Sequence, residues 1–189
     1  MLLTLFFIVT FIACGENNSS SNRHIKNREN INNFLSYNNK ELLSLVNKIR
    51  SQARVCYKDK GLIGPSSPLK WNSFLTFSAY EHSRDMALSN IFTHDGSGTV
   101  YDITGALYGK KSRFSERIHR HLEIPSIPTG ENIAVGMYDI EEVMNAWLAS
   151  PKHCINIMSE EFTDIGMAIV TEEESFYGIY WTQDFAKID

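Results

Sequence analysis

From Asn39 onward the apolar positions Leu42, Leu45, Val46, Ile49 and Ala53 recur at three- and four-residue spacing, which predicts an amphipathic helix with Asn39 as its N-cap. A Gly/Pro/Ser loop (KDKGLIGPSSP) interrupts the period. Asn72 then caps a second predicted helix that carries Leu75, Ala79, His82 and Met86 on one stripe. The stretch from Tyr101 to Leu122 predicts a helix with irregular flanks. Asp139 and Glu142 fit a reciprocal cap ahead of Val143, Ala146 and Trp147. Ser150 and Pro151 restart a helix as N-cap and first helical residue, which puts His153 in its opening turn. Strand signals come late. Gly130 to Gly136 reads as a short strand, and the apolar runs 165–170 and 177–185, separated by Glu172-Glu173-Glu174-Ser175, read as an antiparallel hairpin. Apolar residues at both parities of IGMAIV predict a strand covered on both faces. The expected class is therefore α+β, a three-layer α-β-α sandwich around a central antiparallel sheet.

Chemistry concentrates in three short segments, FTHDG, TGENIAVG and SPKHCINIM. His94 falls on a loop where Asp95 and Gly96 end the helical period. Glu131 opens an otherwise apolar strand, where a carboxylate needs a partner to offset desolvation, either a site ligand or the backbone N–H groups of a turn. His153 sits at the positive end of a helix dipole, which favours the neutral imidazole that binds a metal or accepts a proton. Two imidazoles and a carboxylate are what a polar pocket needs to hold a divalent metal such as zinc or to polarise a ligand. His82 is expected to be a structural histidine, His24 a linker residue, and His119 and His121, two apart, surface residues.

The first thirteen residues, MLLTLFFIVTFIA, are apolar and too short to span a bilayer, and small Ala13 precedes Cys14. This is the arrangement of a bacterial lipoprotein signal, with Cys14 lipidated after cleavage, and an ordinary secretory signal is the alternative. Residues 14–38 are rich in Asn, Ser, Lys and Arg and read as a flexible tether, leaving 39–189 as one domain. Localisation is expected at the cell envelope, on its outer surface, with the membrane as a partner through the lipid on Cys14. A formal net charge of −4 and the lack of a basic stripe speak against nucleic acid. With Cys14 acylated, Cys56 and Cys154 remain for a disulfide in an oxidising compartment, and two buried free thiols are the competing reading.

In order and spacing, LLSLVNKIRSQA, PLKWNSFLTFSAYEHSRDMA, FTHDG, TGENIAVG, EEVMNAWLASPKHCINIM, FTDIGMAIV and YWTQDFA resemble the CAP superfamily, the cysteine-rich secretory protein, antigen 5 and pathogenesis-related 1 group, or SCP domain. The resemblance covers residues 40–186 and is to the compact bacterial form. It implies a cleft lined by two histidines and two acids, able to hold zinc in some members. By position these are His94, Glu131 and His153. The second acid falls at Ser150, so Asp95 or Glu142 would have to replace it. Ser150 is accordingly expected in the cleft wall.

The expected function is a surface-tethered, non-enzymatic binding module for a lipid, a sterol, or a host or other extracellular macromolecule. The absence of a Gly-x-Ser-x-Gly elbow supports this. A zinc-dependent hydrolase using His94, Glu131 and His153 is the first alternative, and a structural envelope protein with a vestigial cleft the second.

Overall fold

The computed structural model describes residues 38–59 and 61–188. Residues 1–37, which include the expected signal segment, Cys14, His24 and nearly all of the expected tether, lie outside the described residues. Helix α1 spans Asn39–Arg50, followed by β1 (Lys70–Trp71), α2 (Ser73–Ser89), α3 (Ile103–Tyr108), α4 (Phe114–Leu122), β2 (Thr129–Val135), α5 (Ile140–Ala149), α6 (Pro151–Met158), β3 (Asp164–Thr171) and β4 (Ile179–Ala186). The sheet order is β1-β3-β4-β2. The hairpin β3–β4 and the pair β2–β4 are antiparallel, and the two-residue β1 lies parallel to β3. Helices cover both faces, as the apolar runs of β3 and β4 require.

On one face α1, α5 and α6 pack a continuous apolar core that includes Leu42, Val46, Val143, Trp147, Ile157, Ile165, Trp181 and Phe185. On the other, α2 lies across β3 and β4 and α4 packs against α2. Gly166 permits this close approach, because a Cβ there would stand 2.2 Å from the backbone nitrogen of Thr76 in α2. Buried Arg50 joins α1 to the end of α6 by donating to the carbonyls of Ile157 and Ser159 at 2.6 and 2.9 Å.

Several local expectations are corrected. The cap of α1 is Asn38, whose side chain accepts from the backbone N–H groups of Lys40 and Glu41 while Glu41 returns a bond to Asn38 N–H; the helix ends at Arg50, before Ala53. Residues 101–122 form two helices, because Gly109 takes a left-handed conformation and closes α3. His119 and His121 are half-buried, bonded respectively to Ile127 O at 3.1 Å and Glu81 Oε2 at 2.8 Å. Asp139 caps α5, accepting from the backbone N–H groups of Glu141 and Glu142, but the return bond expected from the Glu142 side chain is not formed. Cys56 and Cys154 form a disulfide across a separation of 98 residues.

Candidate functional site

His94 leaves the loop after α2 and stands over the edge strand β2, where its Nδ1 lies 2.8 Å from Glu131 Oε1. The second carboxylate oxygen of Glu131 accepts from Arg117 Nη2 at 2.7 Å. Arg117, on α4, also donates to the backbone carbonyl of His94 at 2.8 Å and, through Nη1, to Ser112 Oγ at 2.9 Å. One guanidinium thus holds both the acid and the loop that carries the histidine. Glu131 and Arg117 are buried, whereas the His94 side chain is 48% exposed and reaches the cleft.

Electrostatics fix the form of this triad. Burial opposes ionisation of Glu131, but the charges of His82 and Arg117 and the bonds from His94 and Arg117 outweigh it, so its carboxyl titrates well below the usual carboxylate range. A carboxylate only accepts, so the His94 Nδ1 must carry hydrogen, and a neutral His94 then presents Nε2 as its lone pair. His82 lies behind, bonded to Thr93 O at 2.8 Å and 3.9 Å from Glu131 Oε1. Burial, against the attraction of Glu131, pushes it down to about 4, so near neutral pH its ring is uncharged and Arg117 is the cation facing Glu131.

His153 approaches from the opposite wall, its ring centre 6.3 Å from that of His94. Pro151 starts α6 and places His153 in the first turn, although the Ser150 side chain makes no capping bond. A side-chain network ties this helix to β2: Asn132 Nδ2 donates to His153 O at 3.3 Å, and Asn156 Nδ2 donates to Glu131 O at 3.0 Å and Asn132 Oδ1 at 2.9 Å. The Cys56–Cys154 disulfide secures the same turn of α6. Burial, with the charges of His94 and Lys152, lowers the His153 pKa and keeps the ring neutral.

The two rings divide a cleft. One compartment, of about 330 Å³, is lined by Phe92, Thr93, Asp95 and Ile133, and the other, of about 470 Å³, by Tyr57, Phe114, Gly130, Lys152 and Ile155 among others; His94 and His153 line both. Ser150 sits half-buried at the α5–α6 junction, where its carbonyl accepts from Cys154 N–H, and it is not among the side chains lining either compartment. Glu142 is exposed in the first turn of α5 and lines neither. Asp95 is in the wall of the smaller compartment.

Among the described residues no three His, Cys, Asp or Glu side chains group as a metal site requires. Both oxygens of Glu131 are engaged, which leaves the two imidazoles as donors. Imidazoles sharing a tetrahedral ion about 2.0 Å from each nitrogen would stand with ring centres about 5 Å apart. The pair at 6.3 Å would have to close by about 1 Å to hold one.

Two residues of this region were not anticipated from the sequence. Arg117 is one. Asp184 is the other: on β4 it pairs in register with Glu131, both acids pointing to the α2 face, and it is fully buried. Burial and the charge of Glu131 raise its pKa well above the usual carboxylate range. Arg117 flanks Ile118 in the Phe114, Ile118, Leu122 stripe, and Asp184 is a lone acid inside an apolar strand, so both carried a readable signal.

The model of the cysteine-rich secretory protein family, CAP, matches residues 43–185. A relative in Bacillus subtilis (strain 168), the uncharacterized protein YkwD, is 32% identical over 120 residues, 62% of this chain and 39% of its own length. Among solved structures, an extracellular protein containing an SCP domain from Bacillus anthracis str. Ames superimposes with a TM-score of 0.57 at 25% identity over 78% of this chain and 39% of that one. An outer surface protein from Borrelia burgdorferi gives 0.56 at 22% identity, over 78% of this chain and 90% of its own, a likeness of fold. The chain spans about two fifths of the length of the two Bacillus proteins.

Proposed function

We propose, for a chain that belongs to the cysteine-rich secretory protein (CAP) family, that it is an exported lipoprotein whose domain binds a lipid or extracellular macromolecule through the divided His94–His153 cleft, without turning it over. The observation that carries this reading is the inward use of Glu131. With one oxygen facing His94 Nδ1 and the other receiving Arg117, the carboxylate orients a ring and is not free to activate a water. What the cleft offers a ligand is two imidazole edges beside Phe92, Tyr57, Phe114 and Lys152. A divalent cation is a further candidate ligand, held by His94 Nε2 and His153 with modest affinity. Anchoring is assigned to acyl chains on Cys14, in line with the extracellular setting named for the Bacillus anthracis neighbour.

Zinc serves as the probe of the imidazole pair. Calorimetric titration of the purified chain should show weak uptake near neutral pH that declines as pH falls, because protons compete for the ring lone pairs. His94→Ala and His153→Ala should each weaken it at least about tenfold, as loss of one of two donors requires, and His121→Ala should not. A zinc-dependent ester or peptide turnover abolished by His94→Ala would replace this reading with a hydrolase. Fatty-acid labelling should mark the wild type and not Cys14→Ser; an unlabelled wild type removes the anchor.

A further inference from the structure

Helix α2 carries apolar residues on both sides: it buries Leu75, Ala79, Met86 and Ala87 beside the polar Ser78, Glu81, His82, Ser83 and Asp85, and it turns Phe74, Phe77 and Tyr80 outward, Phe77 with 57% of its surface exposed. Helix α3 buries Thr104 and Gly105 and exposes Ile103 and Leu107, the latter at 64%, and Val100 just before it is 82% exposed. The two segments meet at Thr104, whose N–H donates to Glu81 Oε1 at 2.8 Å, and at Tyr101, whose ring centre lies 6.0 Å from the Arg84 guanidinium. Exposed apolar side chains grouped beside polar residues mark contact surfaces.

Its charge is one-sided. Between Ser73 and Arg113 the acids are Glu81, Asp85, Asp95 and Asp102; three are buried, and Asp95 belongs to the cleft wall. The cations of the same stretch, Arg84, Lys110, Lys111 and Arg113, are half-buried or exposed, with Lys110 paired to Glu116. The opposite layer mixes both signs, exposing Glu41, Asp139, Glu141, Glu142 and Glu160 together with Lys40, Lys48 and Lys152.

We propose that the outer face of α2 and α3 docks on an anionic lipid bilayer, with Phe74, Phe77, Tyr80, Val100, Ile103 and Leu107 entering the headgroup boundary and the basic fringe meeting the phosphates. Aromatic and aliphatic side chains edged by cations are the composition that binds in that zone. A second copy of this chain fits less well, since a two-fold contact on this face would set each basic fringe near its own copy. The proposal draws on the Cys14 anchor only for the bilayer's presence nearby. The face itself is tested without it.

In a chain carrying Cys14→Ser, the substitution Phe77→Cys supplies the one thiol outside the Cys56–Cys154 disulfide. A polarity-sensitive fluorophore there should shift to the blue and be shielded from an aqueous quencher on vesicles containing phosphatidylglycerol, less so on phosphatidylcholine alone or in high salt. The same label at Glu142→Cys should stay accessible. Adding Phe74→Ser and Tyr80→Ser should weaken vesicle binding about tenfold, as loss of two interfacial anchors implies. These side chains are exposed, so the circular dichroism and melting temperature should remain those of the parent. Equal shielding at positions 77 and 142 overturns the proposal, as does shielding at 77 that grows with protein concentration in the absence of vesicles, which identifies a dimer. Fatty-acid labelling of the wild type reads the anchor separately, so a failure of either idea is recognisable as its own.

Discussion

The two faces of the sheet solve opposite problems. Against α1, α5 and α6 it presents Ile165, Trp181 and Phe185 to a core of aliphatic and aromatic side chains, and its buried polar groups there, Asn132 and Gln183, bond to each other and to Asn156 of α6. Against α2 and α4 it presents Thr182, Asp184 and Glu131, and the helices answer with Ser83, His82 and Arg117. The first face is held by burial, which is insensitive to pH. The second places the carboxyl groups of Glu131 and Asp184 in register with one guanidinium, which bonds to Glu131, an arrangement whose free energy depends on protonation. Function is expected where stability is conditional, and His94 is hung from the conditional face.

The largest test of that contrast is Arg117→Met. It should cost about 3–5 kcal/mol by chemical denaturation, because Glu131 loses its cation while still buried. Ile157→Ala on the apolar face should cost a similar about 2–5 kcal/mol. The two losses should differ in kind. Adding Glu131→Gln should recover much of the Arg117→Met loss, whereas no charge change should recover Ile157→Ala, and only the latter should be the same at pH 5 and pH 8. If Glu131→Gln deepens the Arg117→Met loss, the pair is not the organising contact.

Next in size is a slope with pH. His82 folds with its pKa depressed to about 4, against 6.5 when free. Between these values the unfolded chain binds the proton and the folded chain does not, so the contribution of His82 is full above about pH 6.5 and is lost towards pH 4, at up to about 1.4 kcal/mol per unit. Replacing His82 with Gln, which can still donate to Thr93 O, should remove most of that decline. A denaturation series in which wild type and His82→Gln run parallel from pH 7 to 4 would show that the ring accepts its proton without resistance.

How much of this was legible follows the same division. Apolar periodicity carried the helices of the first face, because Leu42 and Val46, or Val143 and Trp147, repeat at helical spacing whatever their partners, and doubly apolar β3 announced that it is covered on both sides. Family signatures carried His94, Glu131 and His153. Periodicity is blind to the outer face of α2: the helix has apolar residues inside and out, so Phe77 and Leu75 look alike in sequence although one is exposed and the other buried. The sequence placed His119 and His121 on the surface for want of knowing that Glu81 and the Ile127 carbonyl meet them. Strand β1 was missed because two residues beside β3 are a consequence of tertiary placement rather than of pattern. The acid expected near Ser150 was sought on the cleft side, whereas the buried acid that faces Glu131 comes from β4, 53 positions after it in sequence, and only strand pairing brings them together.

The smallest expected effect concerns that acid. Asp184 is buried beside Glu131, and Arg117 is already committed to Glu131 and to the His94 carbonyl, so the folded chain favours the neutral form of Asp184. Its folded pKa is raised, and the sign follows: above the unfolded value near 4 the unfolded chain releases the proton while the folded chain keeps it, so this residue lowers stability progressively as pH rises. Asp184→Asn keeps the shape and cannot ionise. It should leave stability at pH 4 nearly unchanged and raise it by about 1 kcal/mol or more at pH 7, where each unit of raised pKa corresponds to about 1.4 kcal/mol. In an infrared difference spectrum of wild type against Asp184→Asn at pH 7, the wild type should show the carbonyl stretch of a protonated carboxyl group. Destabilisation at pH 7 together with a carboxylate band would mean that Asp184 is ionised and shares Arg117, and the conditional face would then carry two anions on one cation, with His82 drawn towards its charged form to balance them.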